Sequence, residues 1–192
     1  MAINTAQDLF VEQLRDIYSA EKQAIRAYPK VTKKSTSPEL KQALTEHLEQ
    51  TKGQLERLDR VFEILGKKSS GKTCEAMKGL IEEVQEALEE IEKGPVLDAA
   101  IIAAGQRIEH YEIASYGTVA AFAELMGQSE LHDLLAETLQ EEKETDEHLT
   151  EVAHAVNSST LQEDEEEDEE QSQPRKSARK LPSKKAGSAK KR

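Results

Sequence analysis

The chain has no tryptophan, only three phenylalanines and four tyrosines, and a single cysteine, Cys74. One thiol excludes an intramolecular disulfide and suits a reducing cytosol. With aromatics scarce, any core must be built from Leu, Ile, Val and Ala. Long apolar runs are also missing. No stretch approaches the roughly 20 residues that a membrane span requires, so no membrane partner is expected. Residues Met1 to Phe10 carry neither the basic start nor the apolar run of a secretory signal. Together these absences predict a soluble, cytoplasmic protein.

The 192 residues suffice for one domain of about 150 residues and a tail. The net charge of −12 conceals a division. Residues 163–170 are all acidic, and residues 175–192 carry nine Lys or Arg and no acid, which leaves −13 on residues 1–162. So acidic a body argues against nonspecific nucleic-acid binding by the folded part. The basic end resembles flexible arms that contact phosphate backbones, which makes nucleic acid a partner to consider for the tail alone. No aromatics are interleaved to stack on bases, and the neighbouring acidic run could neutralise the arm instead.

Apolar residues recur at three- and four-residue spacings along most of the chain, the signature of amphipathic helices. Residues 5–33 carry Phe10, Leu14, Ile17, Ile25 and Tyr28, with a kink or early end expected at Pro29. Ser37-Pro38 is a cap followed by a proline at the first helical position. It opens a helix over 38–65 with Leu40, Leu44, Leu48, Leu55, Leu58, Phe62 and Leu65, closed by Gly66. A shorter helix spans 74–92. Gly94-Pro95 then begins a long one over 95–126, closed by Gly127, and the last helix covers 129–157. The two short connections imply two antiparallel hairpins, and the stretch between them is a long crossover carrying the short helix. The expected fold is therefore all-α: a ferritin-like four-helix bundle over residues 1–157, with 158–192 as a disordered acidic-then-basic tail too poor in apolar residues to offset ordering entropy.

Within these stripes acids stand where apolar residues belong. Glu21 continues the series 10, 14, 17, 21, 25, 28. Glu112 continues 101, 105, 108, 112, 115, 119. Glu142 and Asp146 fall in 135, 139, 142, 146, 149. Counted from the helix ends, these residues and Glu49 in the second helix lie within one or two turns of one level. A buried carboxylate is costly unless it is paired or binds metal. Facing carboxylates at one level suit a di-metal centre of two Fe or Mn ions, hard cations that favour oxygen donors. Glu109, one turn before Glu112, is a further candidate, and so is His47. The usual Glu-x-x-His pairs are missing. The only one, Glu151/His154, lies a few turns away and reads as an end-of-bundle feature. The competing reading pairs the acids with Arg15, Lys22, Lys52, Arg57, Arg107 or Lys143 at bundle edges. Tyr18, Tyr111 and Tyr116 lie near the same level as core or boundary residues, in reach of a ligand carboxylate. Cys74, at the start of the short helix, reads as an inert thiol.

The segments DIYSAEKQ (16–23), EHLEQTKGQLERLD (46–59), CEAMKGLIEE (74–83), DAAIIAAGQRIEHYEIASYGT (98–118) and ETLQEEKETDEHLTE (137–151) resemble the YciE/YciF family of bacterial ferritin-like stress proteins. The resemblance covers nearly all of 5–156. It implies a ferritin-like bundle, a homodimer and a link to stress, with Glu21, Glu49, Glu109, Glu112, Glu142 and Asp146 as metal ligands. The expected activity is Fe(II) oxidation or consumption of O2 or H2O2. The alternative is a non-enzymatic helical stress protein acting through its dimer surface or its tail.

Overall fold

The computed structural model describes residues 3–172, and they form five α-helices: α1 (Ala6–Lys34), α2 (Pro38–Leu65), α3 (Glu75–Glu90), α4 (Pro95–Leu125) and α5 (Ser129–Ser172). Their boundaries follow local chemistry. Thr5 caps α1 in a reciprocal box with Asp8. Ser37 accepts from the Leu40 N–H, with Pro38 following it at the start of α2. Gly66 (φ 61°) and Gly127 (φ 68°) take the left-handed conformation that ends α2 and α4 without Cβ strain. Cys74 starts α3, its sulfur accepting from the Met77 N–H at 3.3 Å.

Each long helix touches two others: α1 with α2, α2 with α5, α5 with α4, and α4 with α1. The four close a ring around one interior, and α3 covers the seam between α1 and α4. Asp98 of α4 ties down the α1–α2 turn, accepting from the Thr36 and Ser37 N–H groups at 2.7 Å and from the Thr36 hydroxyl.

One expectation is narrowed here and one corrected. Pro29 sits inside α1 without ending it, because the helix beyond stays anchored by buried Val31. Helix α5 does not stop near 157 but continues to Ser172. Among the residues whose burial is described, its last buried anchor is Val156. Beyond that point Glu and Gln, good helix formers, extend a helix already nucleated by docking. The rest of the expected disordered tail, residues 173–192 with its nucleic-acid-contacting basic end, lies outside the described residues. Among the described residues no helix is long and apolar enough to cross a membrane.

The core is split into two apolar clusters. One is built around Phe10, Leu14, Leu58, Phe62, Leu131 and Leu135. The other includes Val31, Leu40, Leu44, Met77, Leu97 and Leu149. Between them lies a layer of buried polar residues.

Candidate metal centre

All four long helices feed that layer. Helix α1 contributes Glu21, α2 His47, Thr51 and Gln54, α4 Glu109 and Glu112, and α5 Thr138 and Glu142, every one of them buried. Ligand atoms of His47, Glu109, Glu112 and Glu142 lie within 4.8 Å of one another. Glu21 stands beside this set, close enough that its charge raises Glu112.

The sequence reading placed Glu21, Glu109, Glu112 and Glu142 correctly in the interior. Two others lie elsewhere. Glu49 is 68% exposed and pairs with Lys52 at 2.6 Å. The buried face of α2 runs 40, 44, 47, 51, 54, 58, and Glu49 is two residues, about 200°, from His47 on that helix. The run of leucines through Leu48 and Leu55, both only half-buried, disguised this register. Asp146 is 21% exposed at the α4–α5 edge, 3.3 Å from His110 Nδ1 and within reach of the Gln106 amide. The buried residues of α5 here are Thr138, Glu142 and Leu149. Thr145 and Asp146 are both only partly buried, Thr145 facing His47 and Gln50 of α2 and Asp146 facing Gln106 and His110 of α4. The residues missed were Thr51, Gln54 and Thr138. The visible signal was the unbroken heptad-like spacing of α2, with His-Thr-Gln at its centre and leucines at its ends.

Several side chains are held by neighbours. Tyr116, fully buried, donates its hydroxyl to Glu21 Oε1 at 2.6 Å. His47 packs edge-on against Tyr28, with ring centres 5.4 Å apart. The His47 Nδ1–H donates to Gln50 Oε1 at 3.3 Å, and Thr145 Oγ1 lies 3.2 Å from the same nitrogen. Because an amide oxygen only accepts, the proton sits on Nδ1 and Nε2 presents its lone pair inward. That Nε2 lies 3.4 Å from Glu109 and 3.8 Å from Glu142. Arg57 touches the layer only at Thr138 and pairs with none of its carboxyls. It donates to Thr138, Glu137 and Glu141 at its edge, and Gln54 donates to Glu141.

Without a cation the layer is electrostatically strained. Burial first, then the neighbouring acids, pushes Glu21, Glu109 and Glu112 well above the usual carboxylate range. Burial raises Glu142 to about 7. Burial also lowers His47 to about 4, so its approach to Glu109 is not an ion pair near neutral pH. Among the described residues no Lys or Arg pairs with any of the four carboxyls. Among the described residues seven buried acceptor atoms of the layer have no hydrogen-bond partner: Glu21 Oε2, His47 Nε2, Gln54 Oε1, Glu109 Oε2, Glu112 Oε1 and both oxygens of Glu142. Each such orphan is destabilising by about 1–3 kcal/mol, more when charged. An inward-facing imidazole and oxygen-rich orphans are a donor set that fits hard or borderline divalent cations.

Residues 5–162 match the family described as a domain of unknown function, DUF892, and the chain belongs to that family. It is 50% identical over 154 residues to Protein YciF of Escherichia coli K12, covering 80% of this chain and 93% of that one. The crystal structure of the E. coli stress protein YciF superposes with a TM-score of 0.79 at 48% identity, over 81% of this chain and 99% of that one. YcfI of Rhodopseudomonas palustris, named there as a candidate structural protein, is similar at 49% identity and a TM-score of 0.74, over 77% of this chain and 94% of that one.

Proposed function

We propose that the polar layer is a di-metal centre holding two Fe or Mn ions in a ferritin-like bundle, and that the protein oxidises Fe(II) or consumes peroxide during stress. The observation that carries this reading is the set of seven orphaned buried acceptors on six side chains of the layer. Four carboxylates, once deprotonated, balance two divalent cations, whereas empty they must hold protons against their neighbours. The predominance of oxygen over nitrogen donors favours Mn or Fe over Cu or Zn. The name of the E. coli relative supports the link to stress.

Bound Fe or Mn would supply the redox change that chemistry with dioxygen or hydrogen peroxide requires. The protein's own part is legible in its contacts. Gln50 and Thr145 hold His47 with Nε2 inward, and Tyr116 fixes one Glu21 oxygen so that the other faces the layer. The apolar clusters on either side exclude water, which strengthens every interaction between cation and carboxylate. Loading displaces the protons held by the raised carboxyls, so affinity increases with pH.

The test is elemental analysis after reconstitution with Fe(II) or Mn(II), wild type beside Glu112→Gln and Glu142→Gln. Near two ions per chain, lost in the variants, is the expected result. No stoichiometric metal in the wild type overturns the proposal. Fe(II)-oxidation and peroxide-decomposition assays on loaded protein then separate the two activities.

A further inference from the structure

A cavity of about 180 Å³ lies between α2 and α5 and reaches the polar layer. Its inner wall includes His47 and Glu109, both buried with an orphan atom each. Its rim carries exposed Glu46, Glu144 and His148. At about 30 Å³ per water it has room for several waters, enough to pass an ion still partly hydrated. No lysine or arginine lines it.

From this we infer that the cavity is the port through which divalent cations reach the layer, with His47 the first buried donor they meet. The inference rests on the metal-centre reading above and names its way in.

Three observations support it. First, among the described residues no base forms an ion pair with the rim carboxylates. Glu46 and Glu144 each accept from a neutral amide, Gln42 and Gln140 respectively, and so remain free to concentrate cations at the mouth. Second, the α4 wall is glycine at 105, where an added Cβ would lie 3.4 Å from Leu149 Cδ1, so a larger side chain there would close the space. Third, the other end of the same α2–α5 seam is sealed. Arg57 spans it with ion pairs to Glu137 and Glu141 at 2.8 and 2.9 Å. A cation approaching there meets a guanidinium, whereas at the cavity it meets carboxylates.

The test is the rate of Co(II) uptake by metal-free, full-length protein, followed by visible absorption in a stopped-flow instrument. Two plugs enter from different helices, Ala43→Phe from α2 and Gly105→Leu from α4, and Glu46→Gln/Glu144→Gln alters only rim charge. The charge variant is expected to load roughly tenfold more slowly at low salt and to converge on wild type at high salt. The plugs should slow uptake at least as much at any salt, with the final Co(II) per chain unchanged. Wild-type rates in both plugs, with helicity by circular dichroism intact, overturn the port and leave the centre standing. A wild type that takes up no Co(II) overturns both. If a plug fails to fold, the charge variant decides alone: a wild-type rate at low salt overturns the port.

Discussion

The two apolar ends of the bundle and the polar layer between them are both buried, yet burial acts on them in opposite senses. In the end containing Phe10, Leu14, Leu58 and Leu135, burial itself is the stabilising term, because apolar surface leaves water with nothing left unsatisfied. In the layer, burial is the destabilising term, since each carboxyl gives up hydration for neighbours of its own sign. The ends therefore carry stability that does not depend on pH or on cations. The layer's contribution is conditional on pH and on cations. Such a division fits a scaffold that holds a strained set of donors in place whether or not they are occupied.

The comparison breaks first if the ends are not what hold the bundle. Leu14→Ala and Leu135→Ala each empty space among fully buried neighbours. They should lower unfolding free energy by about 2–5 kcal/mol, to a similar extent with and without metal. Urea denaturation in both states measures this. A loss seen only in metal-loaded protein would mean that the ends depend on the layer.

The layer should respond with the opposite sign. Wild type with metal at a hundredfold excess over its dissociation constant gains about 2.7 kcal/mol for each site filled. Glu112→Gln should forfeit that gain. Without metal the same substitution removes a group that ionises against burial, so it should be neutral or stabilising by up to a few kcal/mol. Thermal melts of both proteins with and without Mn(II) provide the four values needed. A Glu112→Gln variant clearly less stable than wild type when metal-free would show that the carboxyl has a favourable partner.

How much of this contrast could be read in the sequence differs by helix. Helix limits were legible because their signals are local: Ser37-Pro38, Gly66, Gly94-Pro95 and Gly127. Glu21, Glu112 and Glu142 were legible because each interrupts an otherwise regular stripe. The α2 contribution was not. Leu48 and Leu55 offered a rival stripe one residue away from the true one, and that drew attention to Glu49 and away from Gln54. Asp146 misled for a related reason. Positions 142 and 146 share a face in isolation, but next to α4 Asp146 meets Gln106 and His110 at the helix edge rather than the interior. The extension of α5 past Asn157 was hidden because composition predicts solvation there, while Glu-rich sequence is still competent to remain helical.

A smaller effect concerns pH. The layer's carboxyls keep their protons to higher pH in the folded protein than in the unfolded chain. Between about 4.5, the ordinary carboxyl value, and about 7, where folded Glu142 titrates, the unfolded state therefore binds fewer protons. Stability of the metal-free protein should fall as pH rises through that window. His47 works the other way between its ordinary 6.5 and about 4, since its folded form resists protonation. One imidazole opposes four carboxyls, so the net slope remains downward. Metal-free melting temperatures at pH 5 and pH 8 should differ in that sense, and saturation with Mn(II) should remove or reverse the difference. A metal-free protein more stable at pH 8 would mean that the carboxyls are ionised and satisfied.

The smallest expected effect is the sharpest control. Glu49 and Glu142 are both acids near the middle of a bundle helix, and sequence alone gave them the same role. Glu49, however, is 68% exposed and bonded to Lys52 on its own helix, a pair that water and side-chain entropy leave nearly without net value. Glu49→Gln should leave the melting temperature, its pH slope and the metal stoichiometry unchanged, whereas Glu142→Gln should alter all three. Elemental analysis beside a pair of melts makes the comparison. Loss of metal in Glu49→Gln would place the functional face of α2 a full 200° from the buried one. Donors there would open to solvent and could not be strained by burial, so the contrast between dry ends and conditional middle would no longer explain metal binding.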